Sequence, residues 1–305
     1  MNELYLINYL IFSIFLTMFL VEVGIAIISL FGYEKYKDRI KRLINPIWEV
    51  TGTFAIFYVV NFEVTYPTML SIVGTAYAVP LLVAAIFIIL RNMFIIFSEY
   101  IGTDKSEHRF RLIYSVSTLI AAILAIATLA SGISGIGISP STSTLTPSFL
   151  FNPFTILILA SLVLFALSLA ESILKPEGFQ KIGIVSEILG FAIAYVAVAM
   201  YLPGFKIANQ TILIAVSTVL LAIAVIIQAA KYKHAGAFNM ILVFLLINLF
   251  GVAAYPYIFG TTNITSYIAT SALATPEILI TLIGGAFVAI SLVALIYINY
   301  IKKNI

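Results

Sequence analysis

Five glutamates interrupt the apolar stretches of this 305-residue chain: Glu22, Glu49, Glu63, Glu171 and Glu187. An ionisable side chain in hydrocarbon is costly unless it is paired, neutralised or wetted, so each is a functional candidate. Burial disfavours the charged carboxylate, and an acid that titrates nearer neutrality can take up and release protons. Spacing sorts the five. Glu49 and Glu63 are fourteen residues apart, close to four helical turns, which puts them on roughly one face about 21 Å apart. Glu49 falls near the inner entrance of its apolar stretch, Glu63 lies towards the opposite side, and Glu22 occupies the inner half of the preceding stretch. Glu22 and Glu49 suit the start of a proton path, with Glu63 further along; the plainer alternative is hydrogen bonding across neighbouring helices. Glu171 and Glu187 lie beside Lys175 and Lys181 and read as interfacial acids within reach of lipid headgroups. Arg91 closes the third stretch and reads as snorkelling to lipid phosphates, with pairing to an acid as the alternative.

The elements that position these groups follow from composition. The chain is 62% hydrophobic and 10% charged, against roughly 25% charge in a soluble domain, so its solvent is lipid. A crossing takes about 20 mostly apolar residues. Cutting at charged and Pro/Gly/Asn-rich breaks gives nine spans, at 4–32, 47–66, 68–98, 111–132, 152–174, 182–202, 210–230, 237–259 and 277–301. Pro80 should kink the third. With the N-terminus outside and the C-terminus cytoplasmic, fifteen of the sixteen Lys and Arg residues fall inside, and Lys206 alone falls outside. One missed span would reverse every later assignment, so this asymmetry supports nine. The first stretch lacks a basic leader and a small-residue cleavage site and reads as a retained helix. Residues 1–132 then form an N-terminal four-helix bundle, 133–151 an uncharged Gly/Ser/Thr/Pro outer linker, and 152–305 a five-helix C-terminal region. Sequons at Asn209 and Asn263 both fall outside.

Several chemistries lack their residues. There is no cysteine, hence no disulfide or thiolate site. His108 and His234 both fall in inner loops, so this chain alone cannot hold an intramembrane haem between two histidines. No His/Asp/Glu cluster has metal-ligand spacing, and no phosphate-cradling glycine loop appears. A proton-coupled secondary transporter using Glu22, Glu49 and Glu63 remains a second reading, although the repeats common in such proteins are not evident. A passive scaffold is a third.

The run NPIWEVTGTFAIFYVVNFEVTYPTMLSIVGTAYAVPLLVAAIFIILRNMF resembles subunit II of the cytochrome bd quinol oxidases. The resemblance lies in a Pro-x-Trp-acid start (Pro46, Trp48, Glu49), an aromatic-Pro at the outer end (Tyr66-Pro67) and an Arg closing the next helix (Arg91). The run GVAAYPYIFGTTNITSYIATSALATPEILITLIGGAFVAI is similar to that family's last two helices. The resemblance implies an all-α polytopic fold of two four-helix bundles plus one peripheral helix. It also implies a heterodimer with a subunit I that carries haem b and haem d-type groups, oxidises quinol and reduces dioxygen. A small accessory subunit and a quinone held by subunit II belong to the same expectation. Subunit II ligates no haem in that family, and an acid at the place of Glu49 serves a proton route at the subunit interface. Trp48, Pro46 and Arg91 become helix anchors near that interface. This chain departs from the pattern at Glu49-Val50-Thr51, where the family has Asp and a polar pair. It departs again at Glu22-Val23-Gly24, a reduced acid-and-glycine motif, and at Glu63, which has no counterpart.

Overall fold

The computed structural model describes residues 3–102, 104–174, 181–201, 210–232, 234–268 and 274–296. Lys175, Lys206, Lys233, Lys302, Lys303 and the Asn209 sequon lie outside these residues. Helix α1 spans Glu3–Thr65 and folds back on itself, because Gly32 leaves helical geometry (φ −154°, ψ 27°). The two limbs run antiparallel: Asn8 donates to Thr65 Oγ1 at 2.6 Å and Phe12 packs on Tyr58 at 5.1 Å between ring centroids. The second limb therefore starts well before the expected residue 47. Pro46 sits inside it and does not open it, and the basic run from Lys35 to Arg42 forms its first turns.

The third expected span is two helices, α2 (Pro67–Ala76) and α3 (Ala78–Tyr100). The break falls at Tyr77, not at Pro80, and proline chemistry accounts for the offset. A proline ring clashes with the carbonyl four residues earlier. For Pro80 that residue is Ala76, the last of α2. Pro80 itself lies in the first turn of α3, where its missing N–H breaks no helical bond. The Tyr77 hydroxyl donates to Ser131 Oγ at 2.8 Å and ties the break to the next helix.

The remaining helices are α4 (Asp104–Ser134), α5 (Pro153–Leu174), α6 (Lys181–Tyr201), α7 (Gln210–Ala229), α8 (Ala235–Ala254) and α9 (Ala274–Ile296). Among the described residues, seven helices are long and apolar enough to cross a membrane. The second limb of α1 and α9 are the two further helices that nine crossings would need.

The linker expected at 133–151 is folded and packed. Its hairpin pairs Ile138 with Leu145, and Ile138 joins Tyr5, Tyr66, Tyr77 and Phe259 in an aromatic cap at one end of the molecule. A second hairpin, at 257–263, locks onto α4 where Phe259 N–H donates to Gly132 O at 2.7 Å.

The main core lies along α1, α4 and α5, and holds Leu20, Val23, Ile25, Tyr114, Leu169 and Ala170. Gly24 sets the α1–α5 spacing: a Cβ there would lie 1.9 Å from Ala166 O and 2.7 Å from Ala170 Cβ. Only hydrogen fits. Small residues that let backbones approach are a main source of helix association where lipid replaces water. The two halves of the chain thus share one core across this contact.

Candidate functional site

Glu22 is fully buried in that core, and so is its partner. Arg91 Nη1 on α3 lies 2.8 Å from Glu22 Oε2, and the Tyr114 hydroxyl on α4 donates to Oε1 at 3.2 Å. Thr51 on the second limb of α1 also contacts this carboxyl group. Asn92 extends the network, because its Oδ1 accepts from Arg91 Nε at 3.0 Å and from Trp48 Nε1 at 2.6 Å. Five side chains from three helices, Trp48, Asn92, Arg91, Glu22 and Tyr114, therefore form one hydrogen-bonded chain. The snorkelling expected of Arg91 does not occur. Its guanidinium turns inward, where a desolvated carboxylate gives it a stronger partner than lipid phosphate.

Glu49 and Glu63 are placed differently. Both are exposed on the second limb of α1. They bracket one stripe, Glu49, Thr53, Ile56, Val60 and Glu63, whose three- and four-residue steps keep it on a single face. The other faces of this limb are occupied. Val50 and Phe54 pack on the first limb. Asn61 Oδ1 accepts from Thr281 Oγ1 at 2.5 Å, and Thr65 bonds Glu277 in the first turn of α9. Glu22 and Glu49 do not meet: Thr51 points to Glu22, and two residues along a helix is a rotation of about 200°. The geometry thus pairs Glu22 with Arg91 and leaves Glu49 facing outward.

Contrary to expectation, Glu171 and Glu187 are not exposed at the surface of the helices. Both are buried among α5, α6, α7 and α8, where Ser168 Oγ donates to Glu187 Oε2 at 3.0 Å and Gln228 Nε2 donates to the same oxygen. Sequence reading also missed Asn92, Tyr114, Gln228, Asn239 and Glu277. A signal existed for the second cluster, since Ser161, Ser168, Glu171 and Ser172 share one face of α5. Nothing in the sequence marks Asn92 as the bridge from Trp48 to Arg91.

His108, in the first turns of α4, and His234, just ahead of α8, are both exposed. The residues present do not fit a haem held between two histidines inside the bilayer. Among the described residues no group of three or more His, Asp or Glu is placed to hold a metal ion.

Apolar helix faces turned outward, an ion pair sealed in the core and a seven-helix minimum define a multi-pass helical membrane protein. The family described as Cytochrome bd terminal oxidase subunit II matches residues 4–302, and the chain belongs to it. A chain in the structure of bd oxidase from Geobacillus thermodenitrificans has the same fold, with a TM-score of 0.77 and 16% identity over 98% of this chain and 99% of that one. No curated protein matches the chain. Family membership makes the protein a subunit of a haem-containing terminal oxidase, an oxidoreductase complex in which a subunit I is the partner.

Proposed function

We propose that this chain is the haem-free companion of a haem-bearing, quinol-oxidising subunit I, and that it supplies protons to that partner from the cytoplasm through Glu49. The observation that carries this reading is the exposed stripe on the second limb of α1. Two carboxylates on an outward face of an apolar helix would be expensive against lipid, and a protein partner with polar groups or water removes that cost. Glu49 lies near the end of the limb from which the basic run emerges. The positive-inside pattern makes that end cytoplasmic, with the N-terminus outside, across nine crossings arranged as two four-helix bundles and a peripheral helix.

The geometry supports a division of labour. The Glu22–Arg91 pair holds α1 against α3 and, through Asn92, fixes Trp48 next to Glu49. Glu22 is thus a positioning residue and Glu49 the proton carrier. Glu63 extends the same stripe towards the outer side. Haem b, haem d-type groups and the quinol site belong to subunit I, and the accessory subunit and a quinone on this chain remain part of the family pattern. Membership of an oxidase family also sets this chain apart from the secondary transporters.

The test is Glu49→Gln in the assembled, haem-loaded complex. Quinol-driven oxygen consumption and its proton uptake should fall together by about a hundredfold, the low end of the range expected when a positioned proton-transfer group is lost. Turnover and proton uptake equal to wild type would remove Glu49 from the route.

A further inference from the structure

The buried polar cluster between α5, α6, α7 and α8 is separate from the Glu22 network and from the exposed stripe. Its members Ser168, Ser172, Glu187, Gln228 and Asn239 are each no more than 1% exposed. All lie at one end of their helices, six residues or fewer from a terminus. Lys181 and His234, both exposed, mark the surface at that same end.

The hydrogen bonds there are unevenly used. Ser168 Oγ donates to Glu187 Oε2 at 3.0 Å, and Ser172 Oγ donates to Leu169 O at 2.8 Å. Gln228 Nε2 spends its hydrogens on Glu187 Oε2 and on Ser168 Oγ at 3.2 Å. Asn239 Nδ2 spends its own on Ser168 Oγ at 3.2 Å and Ser172 Oγ at 3.5 Å. The donors of the cluster are therefore engaged. Three acceptors on three different helices have no hydrogen-bond partner: Glu187 Oε1, Gln228 Oε1 and Asn239 Oδ1. The Gln228 amide is oriented by Glu187, since a carboxylate accepts only and draws the amide hydrogens towards it. Its Oε1 is then turned to Gly183, where a Cβ would lie 2.7 Å from Gln228 Oε1 and 3.2 Å from Glu171 Oε2. Glycine at 183 lets α6 approach these two oxygens more closely than any side chain would allow. Among the described residues no Lys or Arg is bonded to Glu187, in contrast to Glu22 with its arginine.

Buried acceptors without donors call for a positive charge or for hydrogens from a ligand. Among the described residues, the Glu187 carboxylate with two amide oxygens, and no Lys or Arg bonded to it, is a donor set for a small hard cation. We propose that this cluster is a sodium site of the C-terminal helices, in which Glu187 supplies the charge and Gln228 and Asn239 supply neutral oxygens. A bound ion would join α6, α7 and α8 at one point, and the short distance to the surface at Lys181 and His234 gives it an entry path.

The experiment is a thermal-unfolding titration of the purified oxidase complex in sodium chloride against choline chloride at equal ionic strength and fixed pH. The expected result is a saturable rise in Tm of about 3 °C with sodium alone, as binding to the folded state requires. Glu187→Gln and Asn239→Leu should each abolish that rise. Equal melting of the wild-type complex in the two salts would overturn the proposal and leave a proton or water as the occupant. A sodium-specific rise that survives in either variant would overturn it too. The wild-type titration decides the matter even where a variant does not assemble.

Discussion

At the level of single residues, the two conspicuous acids of the N-terminal half play opposite parts. Glu22 is enclosed with Arg91, and a buried ion pair is most sensitive to losing one member. Arg91→Met should cost roughly 3–5 kcal/mol by stranding the carboxylate, whereas a well-packed apolar pair of similar volume is often tolerated. Thermal unfolding of the purified complex should therefore show Arg91→Met well below wild type and the Glu22→Met/Arg91→Met double variant substantially recovered. A double variant as unstable as the single one would show that Tyr114 and Asn92 need the charges as much as the charges need each other. Sequence alone identified both residues but not their pairing. Arg91 and Glu22 are 69 positions apart, and only the antiparallel return of α1 and the placement of α3 bring them to 2.8 Å.

Among the elements, close approach between helices carries the architecture. Gly24 is where α1 meets α5, and a larger side chain has backbone in its way, which cannot rotate aside. Gly24→Leu should separate the halves of the chain, and its clearest signature is loss of the assembled complex on size-exclusion chromatography, with haem no longer co-eluting. Recovery of a haem-loaded complex at wild-type yield would refute the importance of this contact. The sequence showed Gly24 beside Glu22 but gave no account of what approaches it, because the partner residues Ala166 and Ala170 lie about 140 positions further on. Helix ends were legible where local chemistry decides them. Pro80 announced a break, and the clash with the carbonyl four residues back places it at Tyr77. The composition of residues 133–151 says connecting segment, and the packing of Ile138 with Phe259 and Tyr77 is a tertiary fact that composition does not carry.

At the level of the whole molecule, the asymmetric distribution of Lys and Arg is a statement about orientation, and the absence of cysteine makes it testable. Single cysteines placed at Thr142, in the first hairpin loop, and at Lys231, between α7 and α8, are both at exposed positions. An impermeant maleimide added to intact cells should label the first and spare the second until the membrane is opened. Labelling of both, or the reverse order, would contradict an outside N-terminus. The family was readable from the patterns at Pro46, Trp48, Tyr66-Pro67 and Arg91, and the membrane-spanning class and helical fold from the apolar composition and the length of the apolar stretches. The α5–α8 polar cluster was legible only in part, as the polar face of α5, because Glu187, Gln228 and Asn239 come from three further helices.

The account as a whole depends on what covers the outward stripe of α1. A photo-crosslinking amino acid placed at Ile56, between the two carboxylates and 69% exposed in the isolated chain, tests this directly in native membranes. Irradiation should join this chain to subunit I in high yield, while the same probe at Ile89 on the outward face of α3 should yield lipid adducts. Lipid adducts alone at Ile56, in a complex that still carries haem, would place Glu49 and Glu63 against the bilayer and contradict a proton-supplying partner face.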